Sequence, residues 1–269
     1  MPDIIYELQD YRFLSWTKTR KSSGTAGSFL KAYDDTGDRK KYYKLSDYDP
    51  LKGIVGHECV NEIIVGRLLN LWQIPHLEYK LIHSLVIIDD KEYDTWLCES
   101  EDYKKKDEMK LPLEDYYLIN RQDGETPLDF CIRMGWTEYV YEMLLIDYLV
   151  QNRDRHGANI EVLRSRKERS IRLAPLFDQG LSLVCRCHSI EELESFDVME
   201  DRPVQAFIGT GSTLENVRLV PKKFIGSLPP LKRVDLLEVV SGVEEIIGKP
   251  FTDKIFSMIW ERWSSLGNI

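Results

Sequence analysis

The sequence predicts an α+β fold with two lobes, the first rich in strands and the second mostly helical. Residues 11–46 contain β-prone runs separated by loops and turns, and a helical apolar pattern follows at about residues 54–72. Two more strand-like runs come next, and the rest of the chain shows apolar residues mainly at helical spacing. We therefore expect an N-terminal lobe at residues 1–100 and a helical C-terminal lobe at residues 101–269.

Composition and charge exclude several classes of protein. The chain has 269 residues, of which 43% are hydrophobic and 30% charged, as in ordinary globular proteins. No apolar run approaches the ~20 residues that a membrane span requires, and the N-terminus lacks the basic and apolar regions of a signal peptide. We expect a cytoplasmic protein, although secretion as an effector stays open. The formal net charge of −9 argues against a general nucleic-acid-binding surface.

The strongest local signal is the stretch N-R-D-R-H-G-A-N at residues 152–159, between an apolar helix-like run and a strand-like run. Asp154 and Asn159 have the spacing of the base and the metal ligand in the kinase loop H-R-D-x-x-x-x-N. A carboxylate can orient and deprotonate an attacking hydroxyl. A neutral amide a short turn later can bind Mg²⁺ without adding negative charge beside phosphates. His156 lies between them and has two interpretations, a contact to the γ-phosphate or a structural histidine.

A second candidate loop, at residues 173–180, has an apolar run followed by Asp178 and Gly180. Asp178 is well placed to be a second protein ligand of the metal, at the end of a strand. Either loop alone has an ordinary explanation, because Asp, Asn and Gly favour turns. The two loops in this order favour the catalytic interpretation.

Lys44 is the candidate phosphate-binding lysine, in a strand-like run before the long helix. Kinases hold such a lysine with a glutamate from the following helix. Glu58 and Glu62 lie four positions apart on one helical face, so the spacing leaves both open. An ordinary surface strand lysine is the alternative interpretation of Lys44.

Two further segments are candidates for nucleotide contacts. Gly24 and Gly27 lie in a small-residue loop whose backbone N–H groups would cover phosphates, although a plain hairpin would have the same composition. Residues 97–100 are the predicted hinge between the lobes, with backbone groups of Glu99 and Ser100 at the adenine edge.

The motifs D-R-H-G-A-N at 154–159 and P-L-F-D at 175–178 resemble those of the HipA-like serine/threonine kinases, bacterial kinases that include many toxins of toxin–antitoxin pairs. The D-R-H-x-x-N part is shared with phosphoinositide-type kinases. The resemblance implies a protein-kinase-like fold, ATP and Mg²⁺ as cofactors, and a serine or threonine hydroxyl of a protein as acceptor. It favours Glu62 as the partner of the lysine. It also implies autophosphorylation in the Gly-containing loop, at Ser22 or Ser23.

Three other functions compete with a protein kinase. A phosphoinositide-type lipid kinase should carry basic residues after Asp178, but residues 191–201 are mainly acidic. A nucleotide-binding interaction module without phosphotransfer is suggested by Gln179, which stands where D-F-G has Phe. A toxin component would bind an antitoxin-like partner protein. About 20 residues precede the Gly-containing loop, fewer than in longer toxin kinases, so that role stays open.

Overall fold

The structure, a computed structural model, describes residues 2–17 and 29–269. Gly24 and Gly27 of the predicted phosphate loop, and the candidate phosphorylation sites Ser22 and Ser23, lie outside the described residues. The strands of the described part are β1 (Ile4–Asp10), β2 (Lys31–Asp34), β3 (Lys41–Leu45), β4 (Tyr48–Asp49), β5 (Gly53–Ile54), β6 (Tyr79–Ile88), β7 (Lys91–Glu101), β8 (Glu108–Pro112), β9 (Asp154–Arg155), β10 (Glu161–Ser165), β11 (Ser170–Leu173) and β12 (Gln205–Ala206).

The helices of the described part lie mostly in its second half, as the sequence predicts. They are α1 (Glu58–Leu71), α2 (Leu113–Asn120), α3 (Pro127–Arg133), α4 (Thr137–Val150), α5 (Ile190–Ser195), α6 (Thr213–Val217), α7 (Lys222–Ile225), α8 (Arg233–Val239), α9 (Glu244–Ile247) and α10 (Lys249–Ser265). Within these residues, none of the helices is long and apolar enough to cross a membrane.

A sheet of five strands in the order β1-β6-β7-β3-β2 forms the N-terminal part of the fold. Strands β6 and β7 are antiparallel, and Asp89 and Asp90 make the turn between them at φ of 49° and 61°. Asp tolerates this left-handed conformation because its side chain can bond locally to the backbone. The hairpin therefore reverses at these two acidic residues.

The register of β3 decides which residues face helix α1. Lys44 lies opposite Cys98 of β7, and Tyr43 lies opposite Glu99. Directly opposite residues project from the same face of a sheet, so Lys44 and Cys98 share one face while Tyr43 and Glu99 share the other. Cys98 belongs to the apolar core that contains α1, whereas Tyr43 belongs to a second apolar cluster. The sheet thus presents Lys44 toward α1.

Helix α1 begins later than the sequence pattern predicts. Residues 53 and 54 form β5, which pairs with β4, and Gly53 has a φ of 83° that favours glycine. Val55 then donates its backbone N–H to Asp47 O at 2.8 Å. The apolar residues of this hairpin continue the helical pattern by chance, because Ile54 packs against the second cluster. The first strand also lies before the β-prone runs of residues 11–46, since the structure has β1 at Ile4–Asp10 beside β6.

Helix α1 is also anchored to the C-terminal helices. Arg67 donates to the carbonyl oxygens of Val239 at 3.1 Å and Ser241 at 2.5 Å. At the end of the helix, Trp72 stacks on Trp263 of α10 at a centroid distance of 5.2 Å. These contacts fix the position of α1 against both the sheet and the helical part.

Helix α4 carries the chain into the segment that contains Asp154. It is almost completely buried from Met143 to Val150. Gln151 ends it in the left-handed conformation at φ 49°, and the N–H of Asn152 returns to Asp147 O at 2.9 Å. The loop after this sharp turn is therefore attached to a rigid, buried helix.

Candidate active site

Lys44, Glu62 and Asp178 meet at the centre of the candidate site. Lys44 Nζ lies 3.0 Å from Glu62 Oε1 and 2.7 Å from Asp178 Oδ1. The three side chains come from β3, from α1 and from the loop after β11. The Glu58 carboxylate has a different partner, since its Oε2 accepts the backbone N–H of Asp47 at 3.0 Å. The structure thus brings together Lys44 and Glu62, the glutamate that the resemblance favours.

The charge of Lys44 is held by its two partners. Burial alone would lower the pKa of Lys44, but the negative charges of Asp178 and Glu62 raise it well above its usual value. Burial raises the pKa of Glu62, and the charge of Lys44 opposes that rise. One cation shared by two carboxylates leaves an excess of negative charge, which suits the approach of a further cation.

Helix α1 also fixes the loop that carries Asp178. Glu62 Oε2 accepts the N–H of Gln179 at 2.8 Å. Asn61 Nδ2 donates to Gly180 O at 2.9 Å and to Ser182 O at 3.0 Å. Asp178 has a φ of 58°, a left-handed conformation that a non-glycine residue adopts at a cost. The hydrogen bonds that α1 makes to the residues after Asp178 hold this backbone in place.

Gly180 is required by the close approach of three side chains. A Cβ atom at this position would lie 3.1 Å from Lys44 Nζ, 3.2 Å from Glu62 Oε1 and 3.1 Å from Glu58 Cβ. The first two atoms form the central ion pair, so they cannot move without weakening it. Lack of room for a side chain, rather than the conformation of a turn, therefore explains the glycine at position 180.

Asp154 and Asn159 are joined within the loop at residues 152–159. Asn159 Nδ2 donates to the backbone oxygen of Asp154 at 2.8 Å and lies 3.4 Å from Asp154 Oδ2. Because the amide nitrogen is used in this way, the amide oxygen is the atom of Asn159 that suits a metal ion. Asn152 Oδ1 accepts the N–H of Asp154 at 3.1 Å, which closes the start of the loop.

His156 lies beside Asp154, and its hydrogen bonding indicates its tautomer. Its Nδ1 accepts the N–H of Ala158 at 3.2 Å, so a neutral ring carries its proton on Nε2. Nε2 is 3.5 Å from Asp154 Oδ1, and it is buried with no hydrogen-bond partner in the described part of the chain. The ring thus braces the loop through one nitrogen and presents an unused donor beside Asp154 through the other.

Arg155 connects both loops to helix α4, as a brace of the loop that carries Asp154. Its Nη2 donates to Asp147 Oδ1 at 2.9 Å and to Gln179 Oε1 at 2.8 Å. Its Nη1 donates to Phe177 O at 3.1 Å and to Asn159 O at 3.3 Å. Burial alone would lower the pKa of Arg155, but Asp147 raises it. One buried guanidinium therefore positions the segments that carry Asn159 and Asp178.

Gln179 has a structural role that its position in the sequence does not predict. Its side chain is buried, and Oε1 accepts from both Arg155 and Asn152 Nδ2, the latter at 3.1 Å. A phenylalanine could not accept these bonds. The one available signal was Asp147, an acidic residue in an apolar helix, because a carboxylate there must have a buried cationic partner.

A cleft of about 360 Å³ opens beside Lys44. Tyr42, Ser100, Tyr103, Asn159, Phe177 and Asp178 are among the residues that line it. Its walls therefore join aromatic rings to the polar groups of both loops, which suits a ligand with an aromatic part and a charged part.

Strand β7 runs through the predicted hinge at residues 97–100. Strand β7 continues to Glu101, so Glu99 and Ser100 lie inside the sheet with β3 on one side and β6 on the other. The Glu99 carboxylate is 3.2 Å from Lys41 Nζ, while Ser100 lines the cleft. The chain leaves the sheet at Asp102, whose N–H donates to Lys40 O at 3.0 Å. The pairing of β7 with β3 therefore reaches one residue beyond the predicted hinge, which stays a prediction.

These residues fit a magnesium–nucleotide complex. Mg²⁺ prefers oxygen ligands and is usually held by one or two carboxylates together with phosphate oxygens. Asp178 supplies a carboxylate and Asn159 an amide oxygen on the same cleft. Lys44 lies next to Asp178 and suits phosphate oxygens.

Gly180→Ala tests the spatial argument. The added methyl group must displace Lys44 Nζ or the Glu62 carboxylate, so we expect the free energy of unfolding to fall by about 1–3 kcal/mol. Urea unfolding measures it. Gly267→Ala is the matched control, because nothing lies within 4 Å of the added atom. Equal stability of the two variants would contradict the argument.

Gln179→Leu tests the buried polar network. It leaves donors of Arg155 and Asn152 without this acceptor, and we expect a loss of about 1–3 kcal/mol in the free energy of unfolding. The control is Gln122→Leu, at an exposed position. A loss within about 0.5 kcal/mol of the control, in urea unfolding, would show that the network contributes little.

The structure is similar to the crystal structure of the Helicobacter pylori proinflammatory kinase CtkA, with a TM-score of 0.62 and 14% sequence identity over 95% of this chain and 93% of that one. It is also similar to HipA in the complex of HipA, HipB and operator DNA from Shewanella oneidensis MR-1, with a TM-score of 0.51 and 13% identity over 91% of this chain and 65% of that one. Neither a protein-family model nor a curated protein sequence matches the chain. The predicted α+β, kinase-like fold is confirmed: the chain has the fold of CtkA and HipA.

Proposed function

We propose that this protein is an ATP- and Mg²⁺-dependent kinase that phosphorylates a serine or threonine hydroxyl of a protein. The observation that carries the proposal is the meeting of Lys44, Glu62 and Asp178 beside a cleft that Asn159 also lines. Each group has the chemistry that phosphoryl transfer needs at that place. The fold shared with a named kinase supports phosphotransferase activity in general.

The residues have separate roles in the proposed reaction. Lys44 binds phosphate oxygens of ATP, and Glu62 holds the lysine in place. Asn159 and Asp178 hold Mg²⁺, which supplies charge neutralisation at the phosphates when bound. Asp154 orients the acceptor hydroxyl and takes its proton. His156 Nε2 contributes a hydrogen-bond donor next to that carboxylate.

The proposed reaction forms one bond to phosphorus and breaks another. The acceptor oxygen forms a bond to the γ-phosphorus while the bond from that phosphorus to the β–γ bridging oxygen breaks. The hydroxyl proton passes to Asp154, and ADP leaves. Positioning and electrostatic stabilisation supply most of the rate in such reactions. Substitution of a metal ligand or of the base should therefore lower the rate of phosphoryl transfer severely.

An antitoxin-like partner is part of the proposal only by analogy. The neighbour from Shewanella oneidensis MR-1 forms a complex with HipB and operator DNA, and this chain matches about two thirds of that chain. Autophosphorylation at Ser22 or Ser23 is likewise proposed from the resemblance, because both serines lie outside the described residues.

The test is incorporation of label from γ-labelled ATP with Mg²⁺, into the protein itself or into casein. We expect Asp154→Asn and Asp178→Asn each to lower the rate by about 10²-fold or more, because each removes a group that acts in the transition state. Asp123→Asn, which removes an exposed carboxylate, is the control.

Three results would contradict the proposal. Wild-type protein that labels neither acceptor would argue for a nucleotide-binding module. Label that both active-site substitutions leave unchanged would show a contaminating kinase. Faster labelling of phosphoinositide vesicles than of protein would favour a lipid kinase. Mapping the label to Ser22 or Ser23, and its loss in the Ser→Ala variants, tests autophosphorylation separately.

A further inference from the structure

Glu161 is a carboxylate of the cleft to which the proposed reaction gives no role. It lines the cleft together with Asn159 and Asp178, and it is partly buried. Its Oε2 accepts a hydrogen bond from the hydroxyl of Tyr103. Among residues 2–17 and 29–269, Oε1 has no hydrogen-bond partner and the carboxylate has no ion-pair partner. An ionised carboxylate accepts several hydrogen bonds, so most of this capacity is unused.

The backbone places Glu161 directly beside Asn159. Ile160, the residue between them, is extended, with a φ of −129° and a ψ of 115°, and its side chain is buried in the main apolar core. The neighbours on either side of an extended residue project in the opposite direction to it, about 7 Å apart along the chain. The carbonyl of Glu161 also accepts the N–H of Ala174 at 2.8 Å. Asn159 and Glu161 therefore face the cleft from adjacent, fixed positions.

Tyr103 holds the Glu161 carboxylate at the aromatic end of the cleft. Its ring stacks on Phe177 at a centroid distance of 5.9 Å, and Lys110 Nζ lies 4.0 Å from the ring centroid. That ammonium group pairs with Asp102 at 3.0 Å. Burial raises the pKa of Tyr103, and the negative charge of Glu161 raises it further, so the hydroxyl keeps its proton. The partner of Glu161 is thus neutral and leaves its negative charge uncancelled.

This charge restricts how a nucleotide can lie in the cleft. A carboxylate repels phosphate groups, so the phosphates belong at the opposite end, beside Lys44. When metal-bound phosphates lie at Asn159 and Asp178, the next group along the nucleotide is the ribose. Its two neighbouring hydroxyl groups are hydrogen-bond donors, and the base continues from the ribose toward the aromatic rings. The free oxygen of Glu161 is therefore placed for a ribose hydroxyl.

We propose that Glu161 accepts a hydrogen bond from a ribose hydroxyl of the bound nucleotide, and that the site thereby selects ribonucleotides over deoxyribonucleotides. A hydrogen bond to an ionised acceptor is about twice as strong as one between neutral groups. Tyr103 is a positioning residue in this arrangement, because it fixes the carboxylate and does not contact the ribose itself. The inference rests on the proposed function and adds a specificity-determining residue to the same site.

The experiment measures the Kd of ATP, 2′-deoxyATP and 3′-deoxyATP by calorimetry in the presence of Mg²⁺. We expect wild type to bind ATP about tenfold or more tightly than at least one deoxynucleotide, the value of one charged hydrogen bond. Glu161→Ala should bring that ratio close to one. Glu161→Gln keeps an acceptor without the charge and should give an intermediate ratio. Each ratio compares two ligands of one protein, so a general loss of affinity does not change it.

Glu194→Ala is the matched control, because it removes the same charge at an exposed position of α5. This control should keep the wild-type ratio. The absence of any ribose preference in wild type, or an unchanged preference in Glu161→Ala, would overturn the proposal. Equal weakening of all three nucleotides by Glu161→Ala, seen only with Mg²⁺, would also overturn it and would indicate a metal ligand.

A further ligand distinguishes the ribose from the base. Purine riboside triphosphate lacks the amino group of adenine and keeps both ribose hydroxyls. We expect Glu161→Ala to leave the ratio of its Kd to that of ATP unchanged. A ratio that differs from one in wild type and returns to one in Glu161→Ala would show that the carboxylate contacts the base, which would overturn the proposal.

Transfer of the γ-phosphoryl group separates this inference from the proposed function. If the ribose preference depends on Glu161 while wild type labels no acceptor, the inference stands and the proposed function fails. If transfer proceeds with equal kcat/KM from ATP and both deoxynucleotides, the proposed function stands and the inference is overturned. Wild-type protein that binds none of the nucleotides would overturn both.

Discussion

The ion pairs of Lys44 with Glu62 and Asp178 constrain the rest of the structure. A buried lysine is tolerated only when carboxylates reach it with good geometry, so β3, α1 and the loop after β11 must arrive together. The register of β3 against β7 directs Lys44 toward α1, and Arg67 and Trp72 anchor that helix to the C-terminal part. The same helix bonds the backbone on the C-terminal side of Asp178. Helix α1 thus provides a charge partner for Lys44 and also fixes the backbone next to Asp178.

A second buried network positions the loop at residues 152–159 in a corresponding way. Arg155 joins Asp147 of α4 to the backbone of Asn159 and Phe177 and to the side chain of Gln179. The network is polar where D-F-G kinases have an apolar phenylalanine. Because α4 and α1 both pack into the main apolar core, the two loops are attached to the same buried framework. The positions of the site residues therefore depend mainly on these two helices.

The sequence predicts those parts of the site that have a fixed local spacing. Asp154 with Asn159, and Asp178 with Gly180, lie within short loops, so the order of residue types reveals them. Contacts between distant segments have no fixed spacing, which is why the bonds of Asn61 to Gly180 and of Gln179 to Arg155 were not predicted. The start of α1 and the position of β1 were misplaced for a related reason. Apolar periodicity does not show which neighbouring strand a segment will pair with.

The central claim is that Lys44 and Asp178 form a site for magnesium–ATP, and equilibrium binding measured by calorimetry tests it most directly. ATP should bind wild type more tightly with Mg²⁺ than without it, and Asp178→Asn should remove that difference. Lys44→Ala should weaken binding in both conditions by about tenfold or more, the value of a charged hydrogen bond. Binding that is independent of Mg²⁺ and unaffected by either substitution would contradict the account.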